Sequence, residues 1–85
     1  MINSKVKQVQ IYYFAALREL RGINEESIDT SAVTAEELYE ELAAIHKFKF
    51  NKQLIKVAIN DSFVQWNTVL YPNDIVVFIP PVAGG

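Results

Sequence analysis

Thr34-Ala35-Glu36-Glu37-Leu38-Tyr39-Glu40-Glu41-Leu42-Ala43-Ala44-Ile45-His46-Lys47 is the stretch on which the fold turns. Thr34 is an N-cap candidate, and Glu37 stands three residues on. That is capping-box spacing, in which a hydroxyl and a carboxylate satisfy the free N–H groups of a helix start. Val33 and Leu38 flank the cap as a hydrophobic staple would. Leu38, Leu42 and Ile45 fall at i, i+4 and i+7 and draw one apolar stripe. Glu36, Glu37, Glu40 and Glu41 lie mostly elsewhere, and the early ones suit the positive helix start. The spacing predicts a helix over 35–47 with one buried face.

Downstream, residues 47–52 read as a basic, partly aromatic loop. Ile55, Val57 and Ile59 alternate with Lys56, Ala58 and Asn60, the period of a strand. Asn60-Asp61-Ser62 is a turn signal, and Phe63-Val64-Gln65 reads as a short returning strand. Trp66 is expected to pack over a second turn, Tyr71-Pro72-Asn73-Asp74. Ile75-Val76-Val77-Phe78-Ile79 is apolar at every position, as in a central strand covered on both faces. Upstream, residues 5–14 alternate as a strand. Residues 15–21 then read as a short helix, stopped by Gly22. Residues 26–30 read as a further strand around Ile28. One main helix on a mixed sheet is an α+β arrangement. A ubiquitin-like β-grasp fits this order, which by itself leaves other small α+β folds open.

Eighty-five residues make one domain, and 51% hydrophobic residues provide a core without staples. The absence of cysteine excludes disulfides, thiolate metal sites and cysteine nucleophiles. Ten acidic against eight basic side chains argue against a nucleic-acid partner. No apolar run approaches the roughly 20 residues of a membrane helix. Met1-Ile2-Asn3-Ser4-Lys5 leads into no apolar signal region, so a soluble cytoplasmic protein is expected. His46 is the only histidine, with no second metal-ligating group near it in sequence, and no metal is expected. No P-loop, dinucleotide fingerprint or nucleophile elbow occurs. The helix glutamates and the lysines at 47, 49, 52 and 56 read as solvated surface. A self-contained active site is hard to assemble from this set.

Two features remain. If Val9, Ile11 and Tyr13 face the core, Tyr12 and Phe14 face outward. In the last strand either Ile75, Val77 and Ile79 or Val76 and Phe78 must line the outer sheet face. With Phe63 after its turn, these residues form an apolar patch that one helix leaves uncovered, and a contiguous patch points to a partner. The second feature is the ending, Pro80-Pro81-Val82-Ala83-Gly84-Gly85. Two prolines stop sheet pairing and stiffen the exit. Glycine lets another backbone approach closely. At roughly 3.3–3.6 Å per residue, residues 80–85 reach about 20 Å beyond a domain formed by residues 1–79. Small residues also end many chains without any function.

Tyr13-Phe14-Ala15-Ala16-Leu17-Arg18-Glu19-Leu20, Val57-Ala58-Ile59-Asn60, Asn73-Asp74 before an apolar strand, and Pro80-Pro81-Val82-Ala83-Gly84-Gly85 together resemble the small, sulfur-carrier subunits of molybdopterin synthase. The resemblance spans nearly the whole chain. Asn73 departs from it, since these subunits often have glycine before the aspartate; turn chemistry tolerates the exchange. The resemblance implies a β-grasp fold and a carrier that is not an enzyme alone. A separate ATP-dependent enzyme would adenylate Gly85, and sulfur would convert it to a thiocarboxylate. Residues 80–84 would thread into the large catalytic subunit of a heterotetramer. The sulfur would pass to cyclic pyranopterin monophosphate in molybdenum cofactor synthesis. No bound cofactor is implied. Phe14, Phe63 and Ile79 match apolar contact positions for the large subunit, and Arg18 matches a basic one.

Three other functions fit the same features. They are sulfur carriage to thiazole or tRNA, a ubiquitin-like modifier joined through Gly85, and an interaction module with an inert tail.

Overall fold

The computed structural model describes residues 6–81. Its elements run β1 (Lys7–Tyr13), α1 (Ala15–Arg21), β2 (Glu25–Thr30), α2 (Ala35–His46), a 3-10 turn (Lys52–Leu54), β3 (Lys56–Ile59), β4 (Ser62–Val64) and β5 (Ile75–Ile79). The five strands form one sheet in the order β2-β1-β5-β3-β4. β1 and β5 pair in parallel; the other neighbours are antiparallel. This is the predicted α+β, ubiquitin-like β-grasp arrangement.

The helix that decided the reading starts as its sequence dictates. The Thr34 hydroxyl accepts from the Glu37 N–H at 3.2 Å. The reciprocal bond is shifted by one residue, because the Glu37 carboxylate accepts from Val33 N–H at 2.8 Å. Lys47 ends the helix in the left-handed region at φ 60°, one residue earlier than predicted. The buried face is made by Ala35, Leu38, Tyr39 and Leu42. Ile45, predicted in the stripe, is 61% exposed. A helical stripe drifts as it advances, and i, i+3, i+4, i+7 counted from Ala35 ends at Leu42. Val33 is also half-exposed.

Tyr39 is the aromatic hub of the core. Its ring lies 5.3 Å from Phe78, 5.4 Å from Trp66 and 6.0 Å from Phe48, centroid to centroid. Trp66 stacks on Phe78 at 6.1 Å. Trp66 therefore anchors to β5 and α2; Tyr71, over whose turn it was expected to pack, is largely exposed. Val9, Ile11, Tyr13, Leu17, Val57, Val76 and Phe78 complete the sealed centre.

The turns set the registers. Asn60 and Asp61 both have positive φ, 52° and 75°, between the paired residues Ile59 and Ser62. That is a two-residue type I′ hairpin, whose twist suits antiparallel strands. Pro72 and Asn73 (φ 71°) form a type II turn closed by Asp74 N–H to Tyr71 C=O at 3.1 Å. Asp74 is buried and joins the two turns. Its carboxylate accepts from Asn60 Nδ2 at 2.9 Å and from Tyr71 N–H at 2.8 Å. Asn60 Oδ1 in turn accepts from Ile75 N–H at 2.9 Å. The start of β5 is thereby fixed between β1 and β3.

Candidate functional site

Side chains on β5 alternate between the two sheet faces. Val76 and Phe78 are fully buried beneath α2, so Ile75, Val77 and Ile79 point the other way. Among the described residues β5 is therefore central but covered by helix on one face only, which corrects the expectation of cover on both. Its uniform apolarity comes from a core face and an open face carried by one strand.

The registers extend that open face across the sheet. Tyr12 stands beside Val77, Val77 beside Ala58, and Ala58 beside Phe63. This makes one apolar row over β1, β5, β3 and β4. Phe63 is 72% exposed at its end, and Ile75 and Ile79 flank it along β5. Both helices send their buried residues to the opposite side, where Leu17, Leu38, Tyr39 and Leu42 join the core.

The surroundings of the row are polarised. At the start of β5 a hollow of about 320 Å³ is lined by Gln8, Gln10, Ser27 and Asn73 as well as Tyr12 and Ile75. Ser27 Oγ donates to Gln10 Oε1 there at 2.5 Å. At the end of β5, Ile79 pairs with Lys56. Across β1, Glu25 faces Tyr12 and its carboxylate raises the Tyr12 hydroxyl above the ordinary tyrosine range. The Tyr12 hydroxyl is thus a neutral donor at the margin of an apolar strip.

The predicted site residues fall around this face in different ways. Phe14 is half-exposed and forms the N-cap of α1, where Ala15 turns the chain at φ 51°. A non-glycine residue there carries strain, and strained turns gather at functional surfaces. Ile79 is half-buried at the end of β5, and Arg18 is exposed on α1. Pro80 is buried and Pro81 exposed. Val82, Ala83, Gly84 and Gly85 lie outside the described residues. Tyr12, Ala58, Ile75 and Val77 belong to the face without having been chosen as site residues. Strand alternation marked Tyr12 as outward. Only the pairing register brings Ala58 and Val77 between it and Phe63.

The basic cluster is divided by the fold. Lys52 pairs with Glu36 and, at 3.1 Å, with Glu40, clamping the 3-10 turn to α2. His46 lies 5.8 Å from the Phe48 ring, and burial followed by the Arg21 charge lowers its pKa below the usual histidine value. No group of three histidine or acidic side chains gathers as metal ligands among the described residues. No helix there is long and apolar enough to cross a membrane.

Residues 11–85 match the ThiS family. The molybdopterin synthase sulfur carrier subunit of Homo sapiens is 30% identical over 83 residues, covering 92% of this chain and 94% of that protein. The subunit of the same name from Haemophilus influenzae is 30% identical over 80 residues, covering 91% and 99%. Among solved structures, the putative molybdopterin converting factor subunit 1 of Pyrococcus furiosus superposes with TM-score 0.73 at 28% identity, over 89% of this chain and 99% of that one. A chain in the complex of subunits 1 and 2 of the Helicobacter pylori molybdopterin-converting factor gives 0.62 at 26%, over 92% and 99%. SAMP1 of Haloferax volcanii gives 0.75 at 20% identity, over 92% and 99%, a likeness of fold alone. With nearly its whole length matched, the chain belongs to the ThiS family, and sulfur carrier subunits of molybdopterin synthase are among its relatives.

Proposed function

We propose that this protein is the sulfur carrier subunit of a molybdopterin synthase. The observation that carries the proposal is the open apolar row from Tyr12 to Phe63, on a chain whose last strand leads into Pro-Pro-Val-Ala-Gly-Gly. The relatives' names and the two-subunit Helicobacter pylori complex support the same reading. The row docks the large catalytic subunit, with Phe14 and Ile79 at its rim and Arg18 as a basic contact. Residues 80–84 enter that subunit and present Gly85.

A carboxylate with a pKa of about 3.3–3.7 is an anion at neutral pH and a poor electrophile. A separate adenylating enzyme activates it: the Gly85 carboxylate attacks the α-phosphorus of ATP and pyrophosphate leaves. Hydrosulfide then attacks the acyl carbon, AMP leaves, and a thiocarboxylate remains. Two carriers deliver two sulfurs to cyclic pyranopterin monophosphate: each thiocarboxylate sulfur attacks the pterin side chain, and water then cleaves the acyl–sulfur bond and restores the carboxylate. The chain itself supplies the arm and the docking face; the large subunit supplies the catalytic groups. All of this takes place in the cytoplasm.

Intact mass after incubation with activating enzyme, ATP and a sulfur donor tests the proposal. Replacement of one oxygen by sulfur at Gly85 is the expected result. Attachment to protein lysines instead identifies a modifier. Deleting Gly85, or adding a residue after it, is expected to abolish molybdopterin formation while the thermal melt stays unchanged. Product formation by either variant rules out the terminal-glycine mechanism.

A further inference from the structure

We propose that two charges on the open sheet face select and orient the large subunit, whose docking surface sets a cation against Glu25 and a carboxylate against Lys56. The inference rests on the sulfur-carrier reading and deepens it. The strand registers place both charges on that face. Glu25 pairs with Tyr12 and so heads the row that runs through Val77 and Ala58 to Phe63. Lys56 pairs with Ile79, two residues along β3 from Ala58 and therefore on the same face. Both are exposed, and neither forms an ion pair among the described residues. Beside Glu25, the side chains of Tyr12, Gln10 and Ser27 wall a hollow of about 320 Å³, room for an arginine or lysine head group.

Size decides whether a docked partner can avoid these charges. Neighbouring strands lie about 4.8 Å apart, so the apolar row from Tyr12 to Phe63 is about 14 Å long. A standard interface buries about 800 Å² on each partner, a patch reaching about 16 Å from its centre. With that patch centred on the row, strand spacing and rise put Lys56 about 7 Å and Glu25 about 12 Å from the middle. Asp29, four residues along β2 from Glu25, lies about 18 Å out and escapes the patch. A charge covered by a docked surface loses its water and weakens binding unless an opposite charge meets it. Glu25 therefore needs a cation over it and Lys56 an anion. Their strands flank the β1–β5 pair on opposite sides. The same partner surface turned end for end sets like charges together and is penalised. The pair thus holds the docked subunit in one sense, with Lys56 beside the strand end from which Pro80 leads off.

Binding of the full-length protein to the large subunit, measured by calorimetry at low and high salt, tests the inference. Glu25→Lys and Lys56→Glu are each expected to weaken binding at least tenfold. Glu25→Gln and Lys56→Gln are expected to lose less than the reversals. High salt is expected to weaken the wild-type complex and narrow its lead over the reversals. Asp29→Lys is expected to change affinity less than threefold. All three positions are exposed, and unchanged melts of the variants separate lost contacts from lost folding. Reversals that bind as tightly as the wild type, or an equal loss from Asp29→Lys that marks a general charge effect, overturn the inference and leave the carrier reading standing. A wild-type protein that neither binds the large subunit nor acquires a thiocarboxylate overturns both.

Discussion

Asn73 sits at φ 71°, a conformation that L side chains other than asparagine and aspartate enter at a cost. The third position of a type II turn requires it, and Asn73 N–H is held there by Gln8 C=O at 2.7 Å. Asn73→Gly is expected to leave stability within about 0.5 kcal/mol, and Asn73→Val to remove about 1–2 kcal/mol. For a domain of this size each kcal/mol lowers Tm by roughly 4–8 °C, so calorimetry reads the difference directly. Equal melting of the two variants contradicts the turn assignment. Asn73 was legible in the sequence because a turn residue advertises its own dihedral preference. Asp74 was not, because its partner Asn60 lies 14 residues away. Trp66 was misplaced for a similar reason: proximity in sequence pointed to the Tyr71 turn, whereas its ring packs on Phe78 and Tyr39.

Helix α1, strand β1 and strand β2 are tied by one ionic cluster. Tyr13 Oη donates to Glu26 at 2.6 Å, and the Arg21 guanidinium grips the same carboxylate at 2.7 and 3.0 Å. Burial pushes the Glu26 carboxyl up, but Arg21 and Tyr13 outweigh it and hold it below the usual glutamate value of 4.5. Burial, then Glu26, raises the Tyr13 hydroxyl far above its usual value of 10.0. The signs follow from which state binds more protons. Glu26 contributes stability that is present above about pH 4.5 and lost as pH falls through its folded value. Tyr13 contributes stability that is present below pH 10.0 and declines as pH rises beyond it. Denaturant melts are expected to weaken on both flanks, and Tyr13→Phe to flatten the alkaline flank and, by removing one donor to Glu26, to make the acid flank shallower. An alkaline loss that survives Tyr13→Phe assigns that flank elsewhere. Element positions were readable because caps and alternation are local signals; α2 and β5 were found almost to the residue. The inward face of α2 was shifted by one turn, since Tyr39 rather than Ile45 meets the sheet.

Among the described residues the molecule is a single layer of helix on a sheet whose other side carries no covering element. Its apolar row exists only because β5 lies between β1 and β3, a pairing between segments at opposite ends of the sequence. The sequence shows that one set of β5 side chains must face outward, but not which residues of β1, β3 and β4 stand beside them. Phe63→Arg places a charge at the end of this row, at a position already 72% exposed. It is expected to leave the melt within about 0.5 kcal/mol, as surface changes do. It is also expected to weaken large-subunit binding at least tenfold by calorimetry. Unchanged affinity removes Phe63 from the interface. The parallel pairing of β1 with β5 has a mechanical consequence. Force applied beyond Ile79, in the direction away from the amino end, loads these two strands in shear, so their hydrogen bonds resist together rather than unzip singly. A motor dragging this domain by that end would load this seam in shear at the first pull, and its survival would depend on the unfolding rate.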